Sequence, residues 1–140
     1  MTQVRFAKLE RDEKLQAICR IADHCFQEAP GRRLLLVVSD EHQALALDRF
    51  LWTQEKGTFL PHAFDNGAVE CYDEPIVINT RESNSNGATI LIMGRPCSFK
   101  FMKEFELVID FAEVYQADLA EASRERYRAC REQGFNPQMY

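Results

Sequence analysis

The feature that most constrains the fold is a continuous apolar run, Leu34–Val38, in the first third of the chain. A run that is continuous rather than alternating is typical of a strand covered on both faces, as in a parallel sheet. A shorter pattern at Val4–Leu9 precedes it, and further apolar runs follow at Ile76–Ile78, Thr89–Met93 and Leu107–Ile109. Helical patterns alternate with these runs, which predicts a mostly parallel sheet between two layers of helices.

Apolar residues three and four positions apart predict helices after Asp12, after a cap at Ser39 or Asp40, and over residues 116–133. Ser98 is placed to cap a short fourth helix. Gly134 follows the longest of them, where a left-handed C-cap is favoured. These signals give each predicted strand a neighbouring helix, as an α/β fold requires.

The helix after Asp40 contains the chain's one tryptophan. The apolar residues of this helix, Ala44, Leu47, Leu51 and Trp52, are predicted to lie on one side of it. Lys56-Gly57 is predicted to end it.

Size and composition indicate one domain. The chain has 140 residues, of which 46% are hydrophobic, and this is enough for one core but not for two. Without a repeat, linker or low-complexity tract, residues 1–140 are predicted to form a single three-layer α/β/α Rossmann-like domain. The formal net charge of −5 argues against a general nucleic-acid binder, although it leaves room for a local basic patch.

Cysteine usage and hydropathy predict a soluble cytoplasmic protein without a membrane partner. The five cysteines are irregularly spaced, and residues 1–9 do not have the pattern of a signal peptide. Reduced thiols are therefore expected. No apolar run approaches the roughly 18–20 residues that span a bilayer.

The motifs of common enzymes are missing from the sequence. It contains no Gly-rich phosphate loop, no G-x-G-x-x-G and no G-x-S-x-G, and its His and Cys residues lack metal-binding spacing, so neither cofactor nor metal is expected. Cys97 is the best catalytic candidate, although packing is the favoured role. The alternative hypothesis is a nucleotide- or thiol-dependent enzyme with its site near Ser39-Asp40 and Gly94–Cys97, at the carboxyl ends of the strands.

The last predicted helix carries the most informative pattern. Arg124, Tyr127, Arg128 and Arg131 are related by steps of three, four and seven, so they share one face, which we call the arginine stripe. Arg126 falls on a different side, where it is expected only to solvate the helix. A solvated surface is the plain alternative, since glutamates alternate with the arginines. Planar guanidinium groups beside an aromatic ring nevertheless favour a carboxylate-bearing partner.

At these residues the sequence resembles the chi-subunit family of bacterial DNA polymerase III, part of the clamp-loader complex. Six elements in register carry the resemblance: Asp40-Glu41…Gln43-Ala44, Leu47-Asp48…Leu51-Trp52, Phe59-Leu60-Pro61-His62, Val108-Ile109-Asp110-Phe111, Arg124-Glu125-Arg126-Tyr127-Arg128 and Gly134-Phe135-Asn136. Their order and spacing agree over nearly the whole chain.

The resemblance implies a three-layer α/β protein without enzymatic activity and with two protein partners. One is the acidic C-terminal tail of single-stranded DNA-binding protein, which ends in Pro-Phe; DNA itself is then contacted only indirectly. The family's pocket for this tail corresponds to Phe59, Arg124, Tyr127 and Arg128, with Arg128 standing where a lysine is expected. Arg131 lies on the same face without a family counterpart.

The second implied partner is the psi subunit, which tethers chi to the clamp loader. Phe99, Phe101, Met102 and Phe105 crowd one short segment with more apolar side chains than one buried face needs, so they are candidates for the psi contact. The alternative is that all four pack beneath the edge of the sheet.

Overall fold

The computed structural model describes residues 1–53, 60–69 and 72–140. Strands and helices occur in the order β1 (Gln3–Leu9), α1 (Lys14–Glu28), β2 (Leu34–Val37), α2 (Glu41–Trp52), β3 (His62–Phe64), β4 (Ile76–Asn79), β5 (Ile90–Met93), α3 (Phe99–Met102), β6 (Leu107–Glu113), α4 (Ala117–Glu132) and β7 (Gln138–Met139). The seven strands form one sheet in the order β3-β4-β2-β5-β6-β1-β7, and every pair is parallel. The predicted Rossmann-like α/β class is confirmed.

The continuous apolar run forms the inner strand β2, between β4 and β5. Side chains alternate along it, so Leu34 and Leu36 face α1 and α2, whereas Leu35 and Val37 face α3 and α4. All four residues are completely buried. Each face therefore has its own apolar cluster, and the run is continuous because both faces of the strand are covered.

Local signals placed three of the helix ends correctly. The Asp40 carboxylate accepts a hydrogen bond from the Gln43 backbone N–H at 2.8 Å, and Ser98 Oγ accepts one from the Phe101 N–H at 3.2 Å. Gly134 has a φ of 92°, the left-handed conformation that ends a helix without a Cβ clash.

The sequence-based prediction missed both edge strands, β3 and β7, which contain three and two residues. The placement of Trp52 was also wrong: Ala44, Leu47 and Leu51 are buried, but Trp52 is 60% exposed at the end of α2. Lys56-Gly57, predicted to close this helix, lies outside the described residues, and Thr53 is the observed C-cap. Among the described helices, none is long and apolar enough to cross a membrane.

Truncating the inner strand should destabilise the domain far more than truncating an exposed leucine. Leu36→Ala removes a completely buried side chain, and it is expected to lower the free energy of unfolding by about 2–5 kcal/mol in urea denaturation. Leu45→Ala is the matched control, because Leu45 is 51% exposed and should change stability by no more than about 0.5 kcal/mol. Equal losses in the two variants would contradict this account of the core.

Candidate functional site

A buried ion pair fixes helix α4 on strand β6. Asp110 is only 4% exposed, and its Oδ2 lies 3.0 Å from Arg126 Nε. The same guanidinium donates to the Phe111 carbonyl at 2.9 Å. Arg126 was expected only to solvate its side of the helix, and that expectation was wrong. Its partner lies on the neighbouring strand, so no pattern within the helix reveals it.

A second buried carboxylate extends this contact to the other helix layer. Glu113 is 6% exposed; it accepts a hydrogen bond from the Tyr115 hydroxyl at 3.0 Å and pairs with Lys14 Nζ of α1 at 2.8 Å. Its backbone N–H donates to Ser123 Oγ of α4 at 3.0 Å. Arg126 lies 3.9 Å from the same carboxylate. These contacts fix the rotation of α4 about its own axis, and with it the direction in which the arginine stripe faces.

Tyr127 forms the inner border of the arginine stripe. Its ring centroid lies 5.1 Å from that of Phe6, and its hydroxyl donates to the Pro137 carbonyl at 2.8 Å. The ring is half-buried, which leaves part of it available to a ligand. Tyr127 therefore also fixes the C-terminal segment that leads into β7.

The three arginines of the stripe project into solvent. Arg124 Nη2 lies 2.7 Å from the Glu121 carboxylate one turn earlier, and both side chains are more than half exposed. This hydrogen bond and the charge of Arg124 hold the pKa of Glu121 below its usual value. Arg128 and Arg131 are exposed and make no hydrogen bond or ion pair to another described residue. The guanidinium groups of Arg128 and Arg131 are therefore available to bind an anion.

An apolar groove of about 270 Å³ lies beside Arg124 and Tyr127 of the stripe, and we call it the α4 groove. It lies between α4 and the edge of the sheet, and its lining consists of Phe6, Ala112, Val114, Ala120, Ser123, Arg124, Tyr127 and Met139. Val114 is 46% exposed and Met139 is 54% exposed, so apolar surface reaches solvent beside positive charge. This combination fits a ligand that carries an aromatic or aliphatic group next to a carboxylate.

Phe59, the expected second wall of this site, lies outside the described residues. Leu60 packs in the α1/α2 cluster, and His62 begins the edge strand β3. Among the described residues, Val114 and Met139 supply exposed apolar lining of the groove that also contains Tyr127.

The Phe99–Phe105 segment is largely buried. Phe101, Met102 and Phe105 are 4%, 3% and 2% exposed, and all three belong to the α3/α4 cluster. Phe99 is partly exposed, with its ring centroid 6.0 Å from that of Phe135. Three of the four residues predicted as candidates for the psi contact are therefore core residues, as the alternative of packing beneath the sheet edge describes. Only Phe99 is accessible.

The groove between α3 and α4, of about 460 Å³, contains Cys97. Burial raises the pKa of the Cys97 thiol to about 12, so the group is protonated at neutral pH and is a poor nucleophile. Among residues 1–53, 60–69 and 72–140, no three His, Cys, Asp or Glu side chains are grouped to hold a metal ion.

The crevice at the carboxyl ends of the strands is polar, but its lysine already pairs with a carboxylate of the crevice. Ser39 and Gly94 border it, and Lys14 Nζ binds both the Glu113 carboxylate and the Gly94 carbonyl, the latter at 3.2 Å. A phosphate would have to displace Glu113 to reach this lysine. The crevice therefore gives no support to the nucleotide-dependent alternative.

A second exposed surface, missed by the sequence analysis, lies on α2. Leu45 and Trp52 are seven positions apart, so they share a face, and they are 51% and 60% exposed. The Trp52 ring centroid lies 4.8 Å from that of His62, and His62 Nε2 lies 2.9 Å from Asp48 Oδ1. The sequence did contain one sign of this surface. Ala44, Leu47 and Leu51 follow the three-and-four spacing of a buried helix face, and the apolar Leu45 falls outside it.

Together the sheet, its two helix layers and the exposed arginine stripe define an α/β protein of Rossmann-like fold with a charged surface on its last helix. Residues 1–138 match the family model described as DNA polymerase III chi subunit, HolC. The chain therefore belongs to the DNA polymerase III chi subunit family, whose members are accessory subunits of the bacterial replicative polymerase.

Curated relatives agree with this family. The chain is 32% identical to DNA polymerase III subunit chi of Escherichia coli, over 86% of this chain and 80% of that protein. It is 28% identical to the Pseudomonas aeruginosa subunit chi, over 96% and 93% of the two chains. Among solved structures, T4 UvsW is similar with a TM-score of 0.61 and 10% identity, over 99% of this chain and 40% of that one. That similarity concerns the fold alone.

Removing the guanidinium from the buried pair should destabilise the protein in a pH-dependent way. Burial raises the pKa of Asp110, and Arg126 opposes that rise. In Arg126→Ala the pKa rises further above the unfolded value of about 3.9, so the native state binds the proton more tightly. Stability is therefore lost as pH rises through this window. We expect a loss of about 3 kcal/mol near pH 8 and a smaller loss near pH 5, measured by urea denaturation.

Two variants separate this effect from general damage. Asp110→Asn combined with Arg126→Ala removes the Asp110 charge as well, so the pH dependence that comes from Asp110 should disappear and the stability loss should be the same at both pH values. Arg124→Ala removes an exposed ion pair and should leave the free energy of unfolding almost unchanged at both pH values. A pH-independent loss in Arg126→Ala alone would show that Asp110 does not depend on this guanidinium.

Proposed function

We propose that this protein is a non-catalytic replisome subunit that links single-stranded DNA-binding protein to the clamp loader. The observation that carries the proposal is the α4 groove, where exposed apolar surface lies beside Arg124. Arg128 and Arg131 are exposed on the same face of the helix. An acidic peptide that ends in an aromatic residue has the complementary chemistry. The C-terminal tail of single-stranded DNA-binding protein, with several aspartates before Pro-Phe, is such a peptide.

The α4 groove binds the apolar end of the peptide, and the arginine stripe binds its carboxylates. The terminal Phe ring enters the α4 groove against Tyr127, Val114 and Met139, which removes apolar surface from water. Its carboxylate then lies within reach of Arg124 and Arg128, whose planar guanidinium groups can each donate two parallel hydrogen bonds. Arg131, one turn further along the helix, meets an upstream aspartate.

The positive charge of the arginine stripe allows an acidic protein to bind an acidic peptide. The formal net charge is −5, but on the stripe three arginines face solvent together. Attraction between exposed charges weakens as salt is added, so the affinity and the association rate should both fall with ionic strength. The acidic total disfavours direct DNA binding, and DNA is contacted through the partner.

The psi subunit is proposed to dock on α2. Tryptophan is enriched at the centres of protein interfaces, and Trp52 with Leu45 presents a large exposed apolar face. In the other candidate segment, only Phe99 is accessible. Helices α2 and α4 cover opposite faces of the sheet, so both partners can bind at once. The domain then raises the local concentration of one partner near the other, in the cytoplasm where the replisome works.

The tail interaction can be tested with a peptide ending in Asp-Asp-Ile-Pro-Phe, as a free acid and as an amide. Calorimetry should show that amidation or Arg128→Ala weakens binding by about tenfold, because either change removes a charge-assisted hydrogen bond. Arg20→Ala, an exposed arginine on α1, is the matched control and should leave the affinity unchanged. Unchanged affinity in Arg128→Ala would contradict the site, and equal binding of both peptides would contradict recognition of the carboxylate.

The psi contact can be tested by replacing one exposed aromatic residue. Trp52→Ala should weaken binding to psi by about thirtyfold, as expected for an interface tryptophan, and leave affinity for the tail peptide intact. Val69→Ala, also an exposed apolar residue at 55%, is the control for general loss of apolar surface. Equal effects of the two substitutions in a pull-down titration would argue against this surface.

A further inference from the structure

Glu121 lies on the same helical face as the arginines that are proposed to bind the peptide. It precedes Arg124 by three residues and Arg128 by seven, and both spacings bring side chains onto one side of a helix. Its carboxylate accepts a hydrogen bond from Arg124 Nη2 at 2.7 Å, and the charge of Arg128 also contributes to its lowered pKa. In the free protein, the Glu121 carboxylate therefore already binds the Arg124 guanidinium, which is one of the groups proposed to bind the peptide.

We propose that Glu121 is an intramolecular competitor for the acidic peptide, an inference that rests on the proposed function of the arginine stripe. The Glu121 carboxylate uses the Arg124 guanidinium that lines the α4 groove. A ligand carboxylate has the same charge and the same hydrogen-bonding geometry, so the two compete for this donor. Binding of the peptide requires the Arg124–Glu121 contact to open or to be shared.

The exposure of the pair makes this competition weak and therefore reversible. The side chains of Arg124 and Glu121 are 63% and 57% exposed, and an exposed ion pair of this kind contributes little to stability. A ligand with one negative charge gains little by replacing Glu121. A ligand with a terminal carboxylate and several aspartates also engages Arg128 and Arg131, and so it displaces Glu121 more readily. Glu121 thus favours polyanionic tails over single carboxylates.

Glu125 provides a matched control on the same helix. It is exposed, carries the same charge and borders the α3–α4 groove on the other flank of α4. It makes no ion pair or hydrogen bond to another described residue. Glu121→Gln and Glu125→Gln therefore change the net charge equally, but only the first releases Arg124.

Calorimetry with the free-acid peptide compares wild type, Glu121→Gln and Glu125→Gln at 50 mM and 500 mM salt. We expect Glu121→Gln to bind about three- to fivefold more tightly at low salt, with most of the gain lost at high salt, and Glu125→Gln to gain less than about twofold. A peptide with its aspartates replaced by asparagine should gain more from Glu121→Gln than the acidic peptide does.

The outcomes separate this inference from the function on which it rests. Equal gains in the two glutamine variants, or no gain in Glu121→Gln while Arg128→Ala still weakens binding, would overturn the competitor role and leave the peptide site standing. Absence of peptide binding to the wild-type protein would overturn both. Circular dichroism checks that both variants keep the wild-type helix content.

Discussion

The ion pair between Asp110 and Arg126 is the contact on which the orientation of the last helix depends. Both groups lie at the junction of α4 and β6, and Asp110 is almost completely buried. A buried carboxylate without a partner is costly, so the helix is held where its guanidinium can reach the strand. The contacts of Glu113 with Lys14 and Ser123 add a second fixed point. Rotation of α4 would break these contacts together.

This constraint gives the arginines of one helix different roles. Arg126 turns inward and stabilises the packing, and consequently Arg124, Arg128 and Arg131 turn outward beside the α4 groove. Chemically the four side chains are identical. Their roles differ because a strand carboxylate, remote in sequence, selects one of them.

The same fold separates the two proposed binding surfaces. Helices from the first half of the chain cover one face of the sheet, and helices from the second half cover the other. The exposed apolar pair on α2 and the arginine stripe on α4 therefore do not obstruct each other. This separation supports the proposed role, in which one small domain holds two larger proteins together.

The sequence by itself determined the α/β class, the inner strands, the main helices and the shared face of Arg124, Tyr127, Arg128 and Arg131. These follow from short-range periodicity and from capping residues, which act within a few positions of the chain. The edge strands β3 and β7 could not be predicted, because two or three residues carry too little pattern and pair only once their neighbours are in place.

Only the tertiary structure decided which charged and apolar groups are buried. It paired Arg126 with Asp110, sixteen positions apart, and exposed Trp52 while burying Phe101 and Phe105. It also placed Val114 and Met139 beside the stripe to form the α4 groove. The physical reason is common to all of these: burial depends on which elements meet across the sheet, and that information is not contained in any single segment.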